Sequence, residues 1–221
     1  MIKVCVVDDH AVVREGLKRI ICESEGMTVV AEANDATEAI RVIQNEPPDV
    51  VLLDITLPNK SGLDVLKQLH SESPRLPVLV LSMHSEEQYA VRVLRAGAAG
   101  YLTKESAPAR LVQAIRKVVR GGKYISPTVA ERLVYDLNGS TKPPHESLSD
   151  REYQVLCMIG SGQTVTMIAA DLGLSVKTIS TYRTRILEKM RLRNNAEIIR
   201  YALEHRISEP AVAVAPGRKN R

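Results

Sequence analysis

Five short β-branched runs, each followed by a helical apolar pattern, fill residues 1–120 and restrict what this half of the chain can become. Strands are expected near 3–7, 28–32, 50–54, 78–82 and 100–104, with helices near 11–23, 36–45, 62–71, 86–96 and 108–120. Nearly uninterrupted apolar strands alternating with helices argue a parallel sheet covered on both faces. Four of the strands also end on residues that phosphoryl chemistry can use. The first runs into Asp8 and Asp9, the third ends on Asp54, the fourth on Ser82 and the fifth on Lys104. In an open parallel sheet ligands bind at the carboxyl ends of the strands, where strand order changes direction. Three carboxylates, a hydroxyl and an ammonium are therefore expected in one crevice. Each residue alone is equally well explained as a helix cap or a solvated side chain. The set in register is not.

Composition narrows the classes. With 221 residues the chain has room for one large domain or two modest ones. It has no Phe or Trp, so its cores must be built from Val, Leu, Ile, Ala and Met with seven Tyr. A strand followed at once by Asp8 and Asp9 is not the long apolar stretch of a signal peptide, and no apolar run approaches a membrane span. A cytoplasmic protein without a membrane partner is expected. Cys5, Cys22 and Cys157 lack the paired spacing of a zinc site or disulfide framework and read as buried, reduced thiols.

The net charge of +4 divides unevenly. Residues 1–121 hold 15 basic and 16 acidic side chains, whereas residues 146–221 hold 12 and 8. The back third is the basic part, which favours a polyanionic partner there. Gly121-Gly122 stops the fifth helix, and Ser126-Pro127 starts a short helix through about Leu137. Residues 122–147 read as a linker containing that helix, and 208–221 as a disordered tail with too little to bury. Capping-box spacing marks helix starts at Asp35 with Glu38, Ser85 with Gln88, Ser149 with Glu152 and Asn194 with Glu197. Thr164 and Ser175 begin two further helices, so residues 148–207 form an all-helical, four-helix domain.

An aspartate can attack phosphorus to give an aspartyl phosphate, provided the approaching anions are neutralised. A hard divalent cation suits this, and clustered carboxylates that repel one another need such an ion. Asp54, ending a central strand, is the expected phosphoacceptor. Asp8 and Asp9 would hold Mg²⁺ together with Asp54 and a backbone oxygen of Thr56. Lys104 would pair with phosphoryl oxygens and Ser82 would donate a hydrogen bond to one.

Residues 1–121 resemble the receiver domain of two-component response regulators, whose fold is a doubly wound, five-stranded, flavodoxin-like parallel sheet. The matching pieces are Val6 to His10, Asp49 to Pro58 with Ser61-Gly62, the Leu81-Ser82 strand end, and Ala96 to Lys104. The resemblance implies phosphoryl transfer to Asp54 from a sensor histidine kinase or phosphotransfer protein. It also implies a switch in which Ser82 swings toward the phosphoryl group and Tyr101 follows inward. Thr56 and His84 flank the site and could tune the lifetime of the phosphate.

Residues 164–190 read as helix, turn, helix, with Gly173-Leu174 at the turn and Ser175 capping the second helix. In that helix Val176, Ile179, Ile186, Leu187 and Met190 recur at helical spacing and should face a core. Lys177, Thr178, Ser180, Thr181, Thr184, Arg185 and, one turn on, Lys189 then offer short donors, acceptors and cations to a major groove. Leu148 to Glu152, Gly162 to Ala169, Leu174 to Ile179 and Ile186 to Met190 resemble the LuxR-type DNA-binding domain. A receiver followed by such a domain is the NarL/FixJ subfamily. That resemblance implies binding of double-stranded DNA and a homodimer on activation, with a dimer contact from the fourth helix, Asn195 to Arg206. Its Ile198, Ile199, Ala202 and Leu203 serve equally for packing onto the domain.

The expected function is thus a phosphorylation-controlled DNA-binding transcription regulator and not an enzyme. A haloacid-dehalogenase-like phosphatase also uses a strand-end Asp and Mg²⁺, but it needs a second Asp two residues on, where Thr56 stands. A third class, a receiver whose helical partner domain binds protein, differs by giving no electrophoretic shift with DNA.

Overall fold

Val, Leu and Ile dominate the strands because every side chain in a sheet covered on both faces must enter a core. The computed structural model describes residues 1–58, 60–83, 86–137, 143–205 and 207. The strands are β1 (Ile2–Val7), β2 (Met27–Ala33), β3 (Val50–Asp54), β4 (Val78–Ser82) and β5 (Gly100–Thr103). They form one parallel sheet in the order β2-β1-β3-β4-β5. The chain passes from β1 outward to β2, then returns to β3 on the other side of β1, so the switch point lies between β1 and β3. β3 and β4 are buried along their whole length, whereas the edge strand β2 is only half-buried at its middle residues.

The helices between the strands are α1 (Ala11–Cys22), α2 (Ala36–Asn45), α3 (Gly62–Glu72), α4 (Glu86–Arg95) and α5 (Ala107–Val119). Alternate strand residues Val4, Val6, Leu52, Leu79, Leu81 and Leu102 pack with Leu17 and Ile21 of α1 and Leu111, Ile115 and Val118 of α5. Period-two alternation sends Cys5, Val7, Val51, Leu53 and Val80 to the opposite face, where α2, α3 and α4 lie. Burial, aided by the neighbouring charge of Glu32, pushes the Cys5 thiol up to about 12, so it stays protonated. Cys157 is buried as expected, but Cys22 is exposed at the end of α1, on the side of that helix turned away from the sheet.

The first unit continues past residue 121. Gly121, at φ 83, reverses the chain after α5, and Tyr124 then pairs with the outer edge of β5. Its N–H donates to Ala99 O at 2.9 Å and its carbonyl accepts from Tyr101 N–H at 3.1 Å. Those bonds cover an otherwise open edge. The following helix α6 (Pro127–Leu137) packs on α4. Residues 122–137, expected to lie in a linker holding a short helix, thus pack as part of the first unit.

The second unit, from Pro144 with the turn 172–174 excepted, is helical. A 3-10 turn at Pro144–Ser147 precedes α7 (Asp150–Gly160), α8 (Val165–Asp171), α9 (Val176–Met190) and α10 (Asn195–Glu204). α7 is the central helix, packing against α8, α9 and α10. The box at its start forms as the spacing requires: Ser149 Oγ accepts from Glu152 N–H, and Glu152 Oε2 accepts from Ser149 N–H at 2.8 Å. Asp35 and Asn194 cap α2 and α10, but Glu38 and Glu197 reach back one residue further, to the N–H groups of Asn34 and Arg193. The expected Ser85–Gln88 box and the tail 208–221 lie outside the described residues, as does His84.

Candidate functional site

The switch point places the carboxyl ends of β1 and β3 side by side, so Asp8 and Asp54 follow directly from the apolar strands that end there. Both carboxylates are buried. Lys104 follows β5 and reaches across β4: its Nζ lies 2.6 Å from Asp54 Oδ2 and 2.7 Å from Asp8 Oδ2. Its backbone N–H donates to Ser82 O at 2.7 Å, which fixes the end of β5 against the end of β4. Thr56 N–H donates to Asp54 Oδ1 at 2.9 Å, and Gly62 N–H donates to Ile55 O at 3.1 Å, closing the loop after β3. Gly62 is required there, because a Cβ would sit 2.7 Å from Ile55 Cα and closer still to the carbonyl of Asp54.

Burial pushes the Asp54 carboxyl up and Asp8 adds to this, while Lys104 and the Thr56 N–H pull it back; the balance leaves it at about 6. Burial acts against the charge on Lys104, but the two carboxylates outweigh it and hold the ammonium above its ordinary value. One ammonium thus faces two buried carboxylates, with Asp9 partly exposed beside them. The three carboxylates carry surplus negative charge and suit a hard divalent cation, so they fit the Mg²⁺ that receiver domains bind in such an acidic pocket, with a ring nitrogen of His10 beside them. Ser82 is fully buried at the end of β4, and Tyr101, in β5, is buried as well.

Two residues around the pocket escaped the sequence reading. His10 Nδ1 lies 2.8 Å from Asp9 Oδ1, and its backbone N–H donates to Asp8 Oδ1 at 2.9 Å. Arg14, one turn into α1, donates to the Asp8 carbonyl at 2.7 Å. Adjacency to the acid pair was the available signal for His10. For Arg14 only the helical register pointed inward.

In the helical unit α9 buries Ile179, Ile186 and Met190. Leu187 is half-buried, and Val176, expected in the core, is 49% exposed because it sits on the flank of the stripe in the first turn. Lys177, Ser180, Thr181, Thr184 and Arg185 line the exposed face. The hydroxyls of Thr181 and Thr184 donate to the carbonyls of Lys177 and Ser180 at 3.0 and 3.1 Å, which ties each oxygen back to its own helix. Two expected members of this face have other engagements. Thr178 bonds to the cap, 2.8 Å from Ser175 Oγ, and Lys189 Nζ is held 2.6 Å from Glu152 Oε2.

Comparison with known families identifies both domains. Residues 4–116 match the response regulator receiver domain, and residues 146–202 match the bacterial regulatory proteins of the luxR family. The chain is 38% identical over 216 residues to the response regulator GacA of Pseudomonas aeruginosa, covering 96% of this chain and all of that protein. It is 36% identical to UvrY of Escherichia coli K12, covering 93% of this chain and 95% of that one. Among solved structures, RcsB of Salmonella enterica serovar Typhimurium bound to promoter P1flhDC with phosphomimetic BeF3− is 27% identical with a TM-score of 0.62, over 90% of this chain and 97% of that one. The chain belongs to the two-component response regulators of the NarL/FixJ family, transcription regulators that carry a LuxR-type DNA-binding domain and are controlled by phosphorylation.

Proposed function

We propose that Asp54 is the phosphoacceptor and that its phosphorylation favours a homodimer that binds an operator through α9. The observation that carries this reading is Lys104 Nζ between the buried Asp8 and Asp54 carboxylates at 2.7 and 2.6 Å. Asp54 attacks the phosphorus of a phosphohistidine on a sensor kinase or phosphotransfer protein. A P–O bond forms, the P–N bond breaks, and the imidazole leaves with a proton. Asp8, Asp9, Asp54 and the Thr56 carbonyl would hold Mg²⁺, which would supply charge neutralisation for the transferring group. Lys104 keeps one phosphoryl oxygen paired once Asp54 has become an acyl phosphate, and the Ser82 hydroxyl turns to donate to another. In this reading movement of Ser82 is passed to Tyr101, which is buried on the neighbouring strand β5, and so ties the local charge event to a two-state element.

Lys177, Ser180, Thr181, Thr184 and Arg185 form the reading face, with the cation at the first turn on a phosphate and the short side chains on base edges. Thr178 and Lys189 serve the cap and the contact with α7 instead. RcsB has been solved on promoter DNA, which supports the same use of this domain here. Within α10, Ile198 and Ala202 are buried against the domain while Leu203 is 45% exposed, so Leu203 is the position open to a second copy. A DNA target fits a cytoplasmic location. The direct test is phosphoryl uptake from a small phosphodonor with Mg²⁺. Wild type takes up one group, labile to base, and Asp54→Asn takes up none; labelling of that variant at the wild-type level overturns the assignment.

A further inference from the structure

We propose that His10 supplies a nitrogen donor to the cation site, so that the pocket favours a first-row transition cation such as Mn²⁺ over Mg²⁺. The proposal rests on the reading of the acidic pocket as a cation site and adds a ligand that no oxygen-only site contains. One donor atom each from Asp8, Asp9, His10 and Asp54 lies within 4.8 Å of all the others. An octahedral ion holding its ligands at about 2.1 Å separates adjacent donors by roughly 3.0 Å and opposite donors by roughly 4.2 Å. His10 Nδ1 is 2.8 Å from Asp9 Oδ1 and 3.4 Å from Asp8 Oδ1, the spacing of adjacent corners. The first distance is also that of a hydrogen bond to Asp9, and the backbone bond from His10 N–H to Asp8 Oδ1 at 2.9 Å holds the ring nitrogen near the second oxygen.

The local backbone sets this up. His10 stands at the N-cap of α1 in extended conformation, and its side chain makes no capping bond, so the ring is not used by the helix. Its backbone N–H donates to Asp8 Oδ1, which fixes the Cα beside the acid pair. Lys104 engages Asp8 from Oδ2, whereas His10 approaches from Oδ1, so cation ligand and phosphoryl partner take different sides of that carboxylate. The ring is 63% exposed and can close over an ion by rotating about its side-chain bonds without displacing packed atoms. Carboxylate oxygens accept Mg²⁺ and Mn²⁺ alike, but imidazole adds affinity along the first transition row and little for Mg²⁺, which dehydrates reluctantly and keeps its waters.

The test titrates the full chain and its His10→Ala variant with Mg²⁺ and with Mn²⁺, and records pulsed EPR of the Mn²⁺ form. The expected result is a directly bonded ¹⁴N coupling in wild type that is absent from the variant. Mn²⁺ affinity should fall about tenfold in the variant while Mg²⁺ affinity changes less than about threefold. Absence of the nitrogen coupling, or an equal change for both ions, overturns the assignment of His10 while Mg²⁺-dependent labelling of Asp54 leaves the pocket reading in place. If wild type binds neither ion, both fall together.

Discussion

Lys104 separates two carboxylates that would otherwise face each other in a buried site, and its removal isolates that electrostatic load. With Lys104→Met, Asp8 and Asp54 keep their burial and lose their only buried cationic partner among the described residues. Leaving buried charge uncompensated costs about 3–5 kcal/mol. Urea unfolding in metal-free buffer should show that loss, and Mg²⁺ should recover more stability in the variant than in wild type because the site is then more negative. Equal stabilisation by Mg²⁺ in both proteins contradicts the account. Gly62→Ala tests the loop after β3, where a Cβ would press on backbone atoms of Asp54 and Ile55. Overpacking of that kind costs about 1–3 kcal/mol, and here it also displaces the phosphoacceptor. Phosphoryl uptake at Asp54 should slow while the variant still folds; an unchanged rate means the loop accommodates the methyl group. At this scale the acids, Ser82 and Lys104 were legible because each follows an apolar strand. His10 and the second engagement of Lys189 were not, since a side chain's partner across 37 residues leaves no local trace.

Capping carries the helical unit, and one cap is tied to the tertiary structure. Burial raises the Glu152 carboxyl, but the bonds from Lys189 and from Ser149 outweigh it and hold the group below its ordinary value of 4.5. A carboxyl lowered in the folded state contributes stability that is fully present above pH 4.5 and is lost as pH falls through the folded value. Lys189 is partly exposed, which screens the pair, so Glu152→Gln should cost about 1 kcal/mol at pH 7. The gap to wild type, read by urea unfolding under far-ultraviolet circular dichroism, should close below pH 4.5; a gap that persists at pH 3.5 shows that packing and not charge is responsible. The elements themselves were largely readable, because period-two and helical patterns, Gly breaks and caps all agreed. Strands β3 and β4 fall where the apolar runs end, at Asp54 and Ser82. The pairing of Tyr124 with β5 was hidden, since two backbone hydrogen bonds need no particular side chain.

For the whole molecule, the claim is that a charge placed on the first unit controls DNA binding by the second. The DNA side is separable. Lys177→Ala should weaken specific and non-specific DNA about equally and lower the salt slope by roughly one. Ala at whichever of Ser180, Thr181, Thr184 or Arg185 touches base edges should cost about 1–3 kcal/mol on the specific site only. If all leave the ratio of specific to scrambled DNA untouched, α9 is not the reader. The division into a near-neutral front and a basic back was visible in the sequence, and it names the partner's charge without naming its base sequence. The most direct test measures affinity for a selected DNA fragment, with sedimentation of the same samples, for wild type and Asp54→Asn with and without a phosphodonor and Mg²⁺. Wild type should tighten by about tenfold or more on phosphorylation and bind as a dimer, while Asp54→Asn stays at the unphosphorylated level. Tightening of Asp54→Asn by the same factor, or a fully phosphorylated wild type that binds DNA no better and as a monomer, contradicts the account.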